Sequence, residues 1–304
     1  PRAVERAGWP TIELVDRRDD DIGRTGLYSA PLVRALRVDG RAVCVLNRIG
    51  RAALVGCRSC GEVARCESCE AAVAMPERGR LVCRRCDTAR PEVCQTCGAT
   101  TLALLRQGIG RAREELEALL GESVVEVSGA TRGTGLPDAR VYVGTEAVLH
   151  QVRSASVVAF LEMDQELLAP RYRAHEQALA LLVRAGRLVG GRDRGGRVVV
   201  QTRTPDHAVL RAALGADPSI VMDEERMRRA VTRFPPAVTM ALVGGEAAPE
   251  YVERLGSPLG IEVRRREDSW LLVADDRKLL LDALAEVERP PGRLRLQIDP
   301  MRVT

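Results

Sequence analysis

Short apolar runs alternate with helix-like segments over the first two thirds of the 304-residue chain. The run of residues 42–46 has no polar position, which is typical of a strand buried on both faces of a sheet. Helices are predicted at 29–38 and 111–120. The further predicted strands are 11–15, 102–105, 123–127, 140–143, 157–161 and 198–201. Strands separated by helices of this length indicate an α/β domain with a parallel sheet and crossover helices.

The pattern changes after Phe234-Pro235-Pro236. Before this point, Thr204-Pro205-Asp206-His207 predicts a helix that ends at Leu214, with Thr204 as its cap and Pro205 at its first position. After it, a helix is predicted at 277–287 between alternating strands at 238–243, 261–265, 270–273 and 294–298. The sequence therefore predicts a small C-terminal α+β domain.

A cysteine-rich segment interrupts the α/β pattern. It contains four Cys-x-x-Cys pairs: Cys57/Cys60, Cys66/Cys69, Cys83/Cys86 and Cys94/Cys97. The ninth cysteine, Cys44, lies inside the predicted strand 42–46 and is interpreted as a small core residue. The predicted domains are residues 1–54 with 100–215, an insertion at 55–99, and 216–304.

A Cys-x-x-Cys knuckle places two thiolates on one tetrahedral ion, so four knuckles predict two zinc sites with four cysteine ligands each. Disulfides are disfavoured in a cytosolic chain, and iron–sulfur clusters use different spacing. Eight thiolates leave no open position on either ion for water, so the metal is expected to be structural.

Spacing alone permits three ways to pair the four knuckles. The nested arrangement is favoured because an insertion into a compact domain needs its two ends close together. Gly61 and Gly98, where positive φ is expected, also link the first and last knuckles. The two predicted sites are Cys57, Cys60, Cys94 and Cys97, and Cys66, Cys69, Cys83 and Cys86.

Charge alone does not predict a nucleic-acid partner. The formal charge is +4, carried by 45 arginines and the single lysine Lys278, and two four-thiolate zinc sites of charge −2 each would bring it to about zero. No apolar run approaches the length of a membrane helix, so a cytosolic protein without a membrane partner is expected. The chain begins with Pro1, and the possibility that the native chain is longer is kept open.

Locally, residues 171–203 carry eight arginines against Glu176 and Asp193. Glycine pairs at 190–191 and 195–196 allow a loop to approach a phosphate backbone closely. A solvated basic face that contacts nothing is the alternative. The candidate nucleic-acid-binding residues are Arg184, Arg187, Arg192 and Arg194.

The order of these features resembles the C-terminal half of the primosomal replication-restart helicases, the PriA family (primosomal protein N′). The resemblance covers nearly the whole chain, and the zinc pattern is its most specific part. A final Asp-Pro follows the last predicted strand. The other matching pieces are Asn47-Arg48-Ile49-Gly50, Gly108-Ile109-Gly110, Val143-Gly144-Thr145, Arg184-Ala185-Gly186-Arg187 and Gln201-Thr202-Arg203-Thr204-Pro205-Asp206-His207.

The resemblance implies that the α/β part is the second RecA-like lobe of an ATP-dependent 3′–5′ DNA helicase, interrupted by the zinc module. It implies forks, D-loops and single-stranded DNA as ligands. Single-stranded-DNA-binding protein and primosome components are the implied protein partners, and two zinc ions are the implied cofactors.

The chain also departs from the family's pattern. A phosphate-binding loop needs a lysine after glycines, and Lys278 follows Asp-Asp-Arg instead. Residues 144–151 lack the family's Lys-Gly pair, and Ala180 and Val183 replace its glutamine and first glycine. No catalytic residue is assigned.

We therefore interpret the chain as a degenerate helicase lobe in a DNA-binding restart protein. An active helicase whose ATP-binding lobe lies upstream, and a zinc-ribbon scaffold that binds protein, are the alternatives.

Overall fold

The computed structural model describes residues 7–20, 26–47, 54–77, 79–104, 109–129 and 135–301. They separate into two compact units. The first contains the chain up to Pro170 together with Ala174–Val221, and the second contains Arg171–Arg173 and the chain from Met222 onward. No helix among the described residues is long and apolar enough to cross a membrane.

The first unit is built on a six-stranded sheet in which every pairing is parallel. The strand order is β1-β11-β10-β2-β9-β8. The strands are β1 (Thr11–Asp16), β2 (Ala42–Val45), β8 (Val124–Val127), β9 (Val141–Gly144), β10 (Val157–Phe160) and β11 (Arg197–Thr202). Strands β2, β9 and β10 are buried along their whole length, as their continuous apolar runs predict.

Helices cover both faces of this sheet. Helices α1 (Ala30–Leu36) and α2 (Ile109–Leu120) pack on the face that includes Cys44, and helices α5 (Ala174–Val189) and α6 (Ala208–Gly215) pack on the other. Two one-turn helices, α3 (Val148–Gln151) and α4 (Asp164–Leu167), follow β9 and β10. The α/β prediction is confirmed, and Cys44 is fully buried, as its interpretation as a core residue requires.

The predicted start of the helix after β11 is wrong by three residues. Helix α6 begins at Ala208, and its N-cap is His207, whose Nδ1 accepts a hydrogen bond from the Val209 N–H at 3.2 Å. The hydroxyl of Thr204, the predicted cap, instead donates to Asp164 Oδ1 at 2.7 Å. The Thr204 side chain, which the local sequence assigned to the cap, therefore makes a long-range hydrogen bond to Asp164 instead.

The insertion forms two small antiparallel sheets. Strands β3 (Val55–Cys57) and β7 (Leu102–Leu104) form a two-stranded ribbon, and β4 (Val73–Glu77), β5 (Arg80–Cys83) and β6 (Ala89–Pro91) form a three-stranded sheet. The strand predicted at 102–105 therefore exists over Leu102–Leu104, but it does not join the parallel sheet. Of the matching motifs, Arg48 to Gly50 and Gly108 lie outside the described residues.

The second unit confirms the predicted small α+β domain. Its strands are β12 (Thr239–Gly244), β13 (Ile261–Arg265), β14 (Ser269–Ala274) and β15 (Arg295–Ile298), in the order β13-β14-β12-β15. Helices α8 (Ala248–Leu255) and α9 (Arg277–Glu286) connect β12 to β13 and β14 to β15. This is the split β-α-β-β-α-β arrangement of ferredoxin-like folds. The sequence predicted the strands and α9 but not α8.

Helix α7 (Ser219–Thr232) is also absent from the sequence prediction. Glu225 lies within this helix and is buried, and its carboxylate accepts hydrogen bonds from Arg228 and from Arg229 Nε. The guanidinium of Arg229 lies over the ring of Tyr172, which stacks on Phe234 at 5.0 Å. Glu225 is therefore a buried, paired residue of α7.

Candidate metal centre

The four Cys-x-x-Cys knuckles have the same backbone geometry. In each, the N–H of the residue after the second cysteine donates to the carbonyl of the first at 2.9 Å. That residue has positive φ in every case: 76° at Gly61, 60° at Glu70, 59° at Asp87 and 74° at Gly98. The expectation for Gly61 and Gly98 is confirmed, and two non-glycine residues adopt the same conformation in the inner knuckles.

The structure brings the sulfur atoms together in two groups of four, Cys57, Cys60, Cys94 and Cys97, and Cys66, Cys69, Cys83 and Cys86. These are the nested groups favoured from the sequence. The distances between sulfurs are 3.7 Å for Cys57–Cys97 and 3.6 Å for Cys60–Cys94. In the second group, Cys66–Cys86 and Cys69–Cys83 are both 3.5 Å apart.

These distances fit a tetrahedral metal site. Zn–S bonds of about 2.3 Å place the four sulfurs about 3.8 Å apart, whereas a disulfide requires about 2.05 Å. All nine cysteines lie in the described part of the chain, and none is in a disulfide. Two four-cysteine groups that could each hold a metal ion are therefore present, and the assignment of zinc stays a prediction.

The surroundings of two sulfurs favour the thiolate form that a metal requires. A hydrogen bond from the Cys69 thiol lowers the pKa of Cys83 to about 5, and the N–H of Arg85 donates to the same sulfur at 3.4 Å. Burial raises the pKa of Cys57, but donation from the N–H groups of Cys60 and Ser59 outweighs it and lowers the pKa to about 7. Hydrogen-bond donors, a neighbouring thiol first for Cys83 and backbone N–H groups for Cys57, therefore favour the thiolate of one cysteine in each group.

The metal-binding insertion rests on the edge of the parallel sheet where the strands end. The Ala72 N–H donates to the Leu168 carbonyl at 2.7 Å. The partly buried Arg203 guanidinium donates from Nη1 to the Gly61 carbonyl at 3.2 Å and from Nη2 to the Asp20 carbonyl at 2.9 Å. A Cβ at Gly61 would lie 2.3 Å from the Arg18 carbonyl oxygen, so this contact requires glycine. The first knuckle is therefore held directly against the end of β1.

Asp164 is a central residue of this edge that the sequence did not single out. Its Oδ1 accepts hydrogen bonds from the hydroxyls of Thr202 at 2.6 Å and Thr204 at 2.7 Å, and its Oδ2 accepts from the Arg203 N–H at 2.8 Å. The residue is 5% exposed. The only sequence signal was the acidic end of the predicted strand 157–161, which gives no partner.

The motif at residues 201–207 is consequently structural. Buried Gln201 donates from Nε2 to the carbonyls of Leu27 and Leu161 at 2.8 and 2.9 Å, and its Oε1 accepts from the Ser29 N–H at 3.0 Å. Together with the threonine contacts to Asp164 and the His207 cap of α6, these bonds join β11 to its neighbours. The polar side chains of the motif described above are thus engaged in holding the fold together.

Four arginines predicted to bind nucleic acid lie on the surface of the first unit. Arg184 and Arg187 are exposed on α5, and Arg192 and Arg194 are exposed in the 3-10 turn Arg192–Arg194 between α5 and β11. Arg184 Nη1 also lies 2.8 Å from His150 Nδ1. Their contact with nucleic acid stays a prediction.

The other four arginines of the basic stretch are placed differently. Arg171 and Arg173 fall in the second unit. Arg197 pairs with Glu13 at 2.8 Å, and Arg203 is partly buried beneath the first knuckle, where desolvation lowers its pKa. The stretch is therefore not one continuous basic face.

The two edges of the parallel sheet carry opposite charge. The described segments that directly follow the six strands, taken after β10 as far as the first residue of α4, contain three arginines and six acidic residues: Asp19, Asp20, Glu146, Glu162, Asp164 and Asp206. The described segments that precede the strands contain four acidic residues and six arginines: Arg37, Arg41, Arg140, Arg153, Arg192 and Arg194. The first set of segments defines the acidic edge and the second the basic edge.

Comparison with known proteins finds no matching family model. The chain is 27% identical to the "Replication restart protein PriA" of Bacillus subtilis over 79% of its own length and 32% of that protein. It is 25% identical to the protein of the same name from Haemophilus influenzae, over 77% of the chain and 35% of that protein. It is 27% identical to the "Probable replication restart protein PriA" of Mycobacterium leprae over 99% of the chain and 53% of that protein.

These similarities confirm the resemblance to a PriA-type C-terminal region. The alignments span about a third of the length of the first two relatives and about half of the third. Whatever the remaining parts of those proteins contribute lies beyond the aligned region.

Proposed function

We propose, from its similarity to the PriA-type replication-restart proteins, that this chain acts in replication restart by binding forked DNA, without helicase activity of its own. The observation that carries the proposal is the nested pair of four-cysteine groups inserted between β2 and β8 of a parallel sheet, in a chain that aligns with PriA proteins over most of its length. Forks, D-loops and single strands are the proposed ligands, and single-stranded-DNA-binding protein and primosome components are the proposed partners.

Charge favours the basic edge, rather than the metal module, as the phosphate-binding surface. Residues 54–104 contain seven arginines and six acidic residues. Two zinc ions, each held by four thiolates, would each contribute −2, which makes the loaded module about −3. Phosphates are repelled by such a surface, whereas Arg187, Arg192 and Arg194 present cationic groups that can contact a backbone without reading bases. The metal module then serves as a rigid structural element of the lobe.

The proposed absence of ATP hydrolysis rests on Lys278, the single lysine of the sequence. It lies in the first turn of α9 in the second unit, behind the N-cap Asp276, and its ammonium pairs with Asp282 at 2.6 Å. A phosphate-binding loop requires a lysine at the start of a helix after a glycine-rich turn. This chain's lysine has neither that turn nor a free ammonium group.

An active helicase with its ATP-binding lobe upstream is the second candidate. It is favoured by the retained Arg184-Ala185-Gly186-Arg187 segment, because arginines of such segments can stabilise charge on a phosphoryl group held by another lobe. A metal-module scaffold that binds protein is the third candidate, and the negative charge of the loaded module favours it.

The test uses the 304-residue chain loaded with zinc. We expect it to bind a forked DNA with an affinity that falls as salt rises, and to hydrolyse no ATP with or without that fork. Hydrolysis that survives replacement of Arg184 but depends on Lys278 would contradict the proposal. Fork affinity that does not change with salt would instead support the protein-binding scaffold.

A further inference from the structure

Trp9 is a partly exposed aromatic residue beside the basic edge, and the proposed function gives it no role. Its indole Nε1 donates to the Ala213 carbonyl at 2.7 Å. Another edge of the ring lies against α5, where a Cβ at Gly186 would be 3.7 Å from Trp9 Cζ3. The ring is therefore held in one orientation by two different helices.

The arginine turn is built directly onto the segment that carries Trp9. The Arg192 N–H donates to the Trp9 carbonyl at 3.2 Å, and a Cβ at Gly191 would lie 2.8 Å from the Ala7 carbonyl oxygen. Arg187 follows Gly186, the residue that Trp9 packs against. A partly exposed indole and three exposed arginines thus lie on segments that contact one another.

A further arginine approaches from the loop before β10. The Ala155 N–H donates to the Leu188 carbonyl at 3.1 Å, which holds this loop, with its exposed Arg153, against the end of α5. Within this surface, Asp193 is the one acidic residue among the arginines of the turn and of the loop. The surface therefore combines an aromatic ring with an excess of cationic groups.

Aromatic rings bind bases by stacking, and arginines bind phosphates, so their combination is typical of single-strand binding surfaces. A duplex offers its base faces only to neighbouring bases, so an indole on the protein surface cannot stack on them. Because the Trp9 ring is already ordered, stacking requires little further loss of conformational freedom. The alternative is that Trp9 only completes the apolar core that it also contacts.

We infer that Trp9, Arg187, Arg192 and Arg194 form a binding site for single-stranded nucleic acid, in which one base stacks on Trp9 while adjacent phosphates contact the arginines. The inference rests on the proposed DNA-binding function and adds a stacking residue and the part of the ligand that it contacts. It assigns the single-stranded part of a fork, rather than its duplex arms, to this surface.

The first test uses fluorescence. The chain has two tryptophans, and Trp270 lies on β14 of the second unit. In a Trp270→Phe variant the emission comes from Trp9 alone. We expect an oligothymidylate to quench this emission, and a duplex of equal length to leave it nearly unchanged at equal occupancy.

The second test compares variants in the binding of the same oligothymidylate. Trp9→Leu keeps an apolar side chain against α5 but removes the stacking face, and we expect affinity to fall about tenfold, which corresponds to about 1.4 kcal/mol. Trp9→Phe retains a smaller aromatic face and is expected to lose less. Both should leave the salt dependence unchanged, because neither removes a phosphate contact. Circular dichroism and metal content check that each variant is folded.

The outcomes separate this site from the proposed function. If the chain binds oligothymidylate but Trp9→Leu binds equally well, or if its binding leaves Trp9 emission unchanged in Trp270→Phe, the stacking site is wrong while DNA binding stands. If the wild-type chain binds neither oligothymidylate nor a fork, both are wrong. If Trp9→Leu fails to fold, the quenching experiment and the Trp9→Phe variant still test whether a base stacks on Trp9.

Discussion

The two edges of the six-stranded sheet use arginine in opposite ways. At the acidic edge, Arg203 is partly buried and its guanidinium donates to the carbonyls of Gly61 and Asp20, so it holds the metal module in place. At the basic edge, Arg192 and Arg194 are exposed on a turn whose backbone, not its side chains, makes the described contacts with the segment before β1. The same residue type is therefore a structural element at one edge and an accessible charge at the other.

This difference indicates which arginines are available to bind DNA phosphates. A partly buried guanidinium that already donates to protein carbonyls would lose those hydrogen bonds on turning to a phosphate, whereas an exposed one loses little. We therefore expect substitutions at the acidic edge to change stability and substitutions at the basic edge to change DNA affinity.

The largest effect is expected in the metal module. Cys66→Ser should remove a ligand from the inner four-cysteine group and reduce bound zinc from about two ions per chain to about one. The module should lose its structure around β4 to β6, because the cysteines of that group are part of its small core. Metal analysis together with hydrogen exchange measures both effects.

Cys44→Ala is the matched control. Cys44 is fully buried in β2, away from both groups, and burial raises the pKa of its thiol to about 12. The variant should retain about two zinc ions per chain. Loss of an ion from it, or iron in place of zinc, would contradict the assignment of the ligands.

The next largest effect is expected at Asp164. Asp164→Ala leaves two buried hydroxyls and the Arg203 N–H without their acceptor, which should cost about 3 kcal/mol of the free energy of unfolding. Urea unfolding measures this cost. Asp206→Ala is the control, because its side chain is 90% exposed and 3.6 Å from Arg18. It should change stability by less than about 0.5 kcal/mol.

These residues show which parts of the fold and of the metal site could be predicted from the sequence. The cysteine groups were predictable because a knuckle is local and repeats four times. The partners of Asp164 were not predictable from the sequence. Thr202 and Thr204 are 38 and 40 residues away from it in the chain, and their local sequence indicates a strand end and a helix cap. The antiparallel pairing of β7 was missed for the same reason, since its partner β3 lies on the other side of the insertion. Sequence spacing does not reveal which distant side chain takes a hydrogen bond.

A smaller effect should separate the two edges directly. Arg203→Gln removes the partly buried hydrogen bonds to the Gly61 and Asp20 carbonyls and is expected to cost about 2 kcal/mol of stability, with little change in fork affinity. Arg194→Gln removes an exposed guanidinium and is expected to leave stability within about 0.5 kcal/mol. Unfolding and fork binding are measured on both variants. The comparison between the edges would be contradicted if Arg203→Gln remained folded and weakened fork binding while Arg194→Gln did not weaken it.

The smallest expected effect on binding free energy is also the most direct test of the central claim. That claim is that the basic edge binds the phosphates of DNA. In the double variant Arg192→Gln/Arg194→Gln, the slope of log affinity for forked DNA against log salt should fall by roughly one to two units, at about 0.9 per duplex phosphate or about 0.7 on single strands. An unchanged slope with intact fork affinity would contradict the account and leave these arginines as a solvated turn.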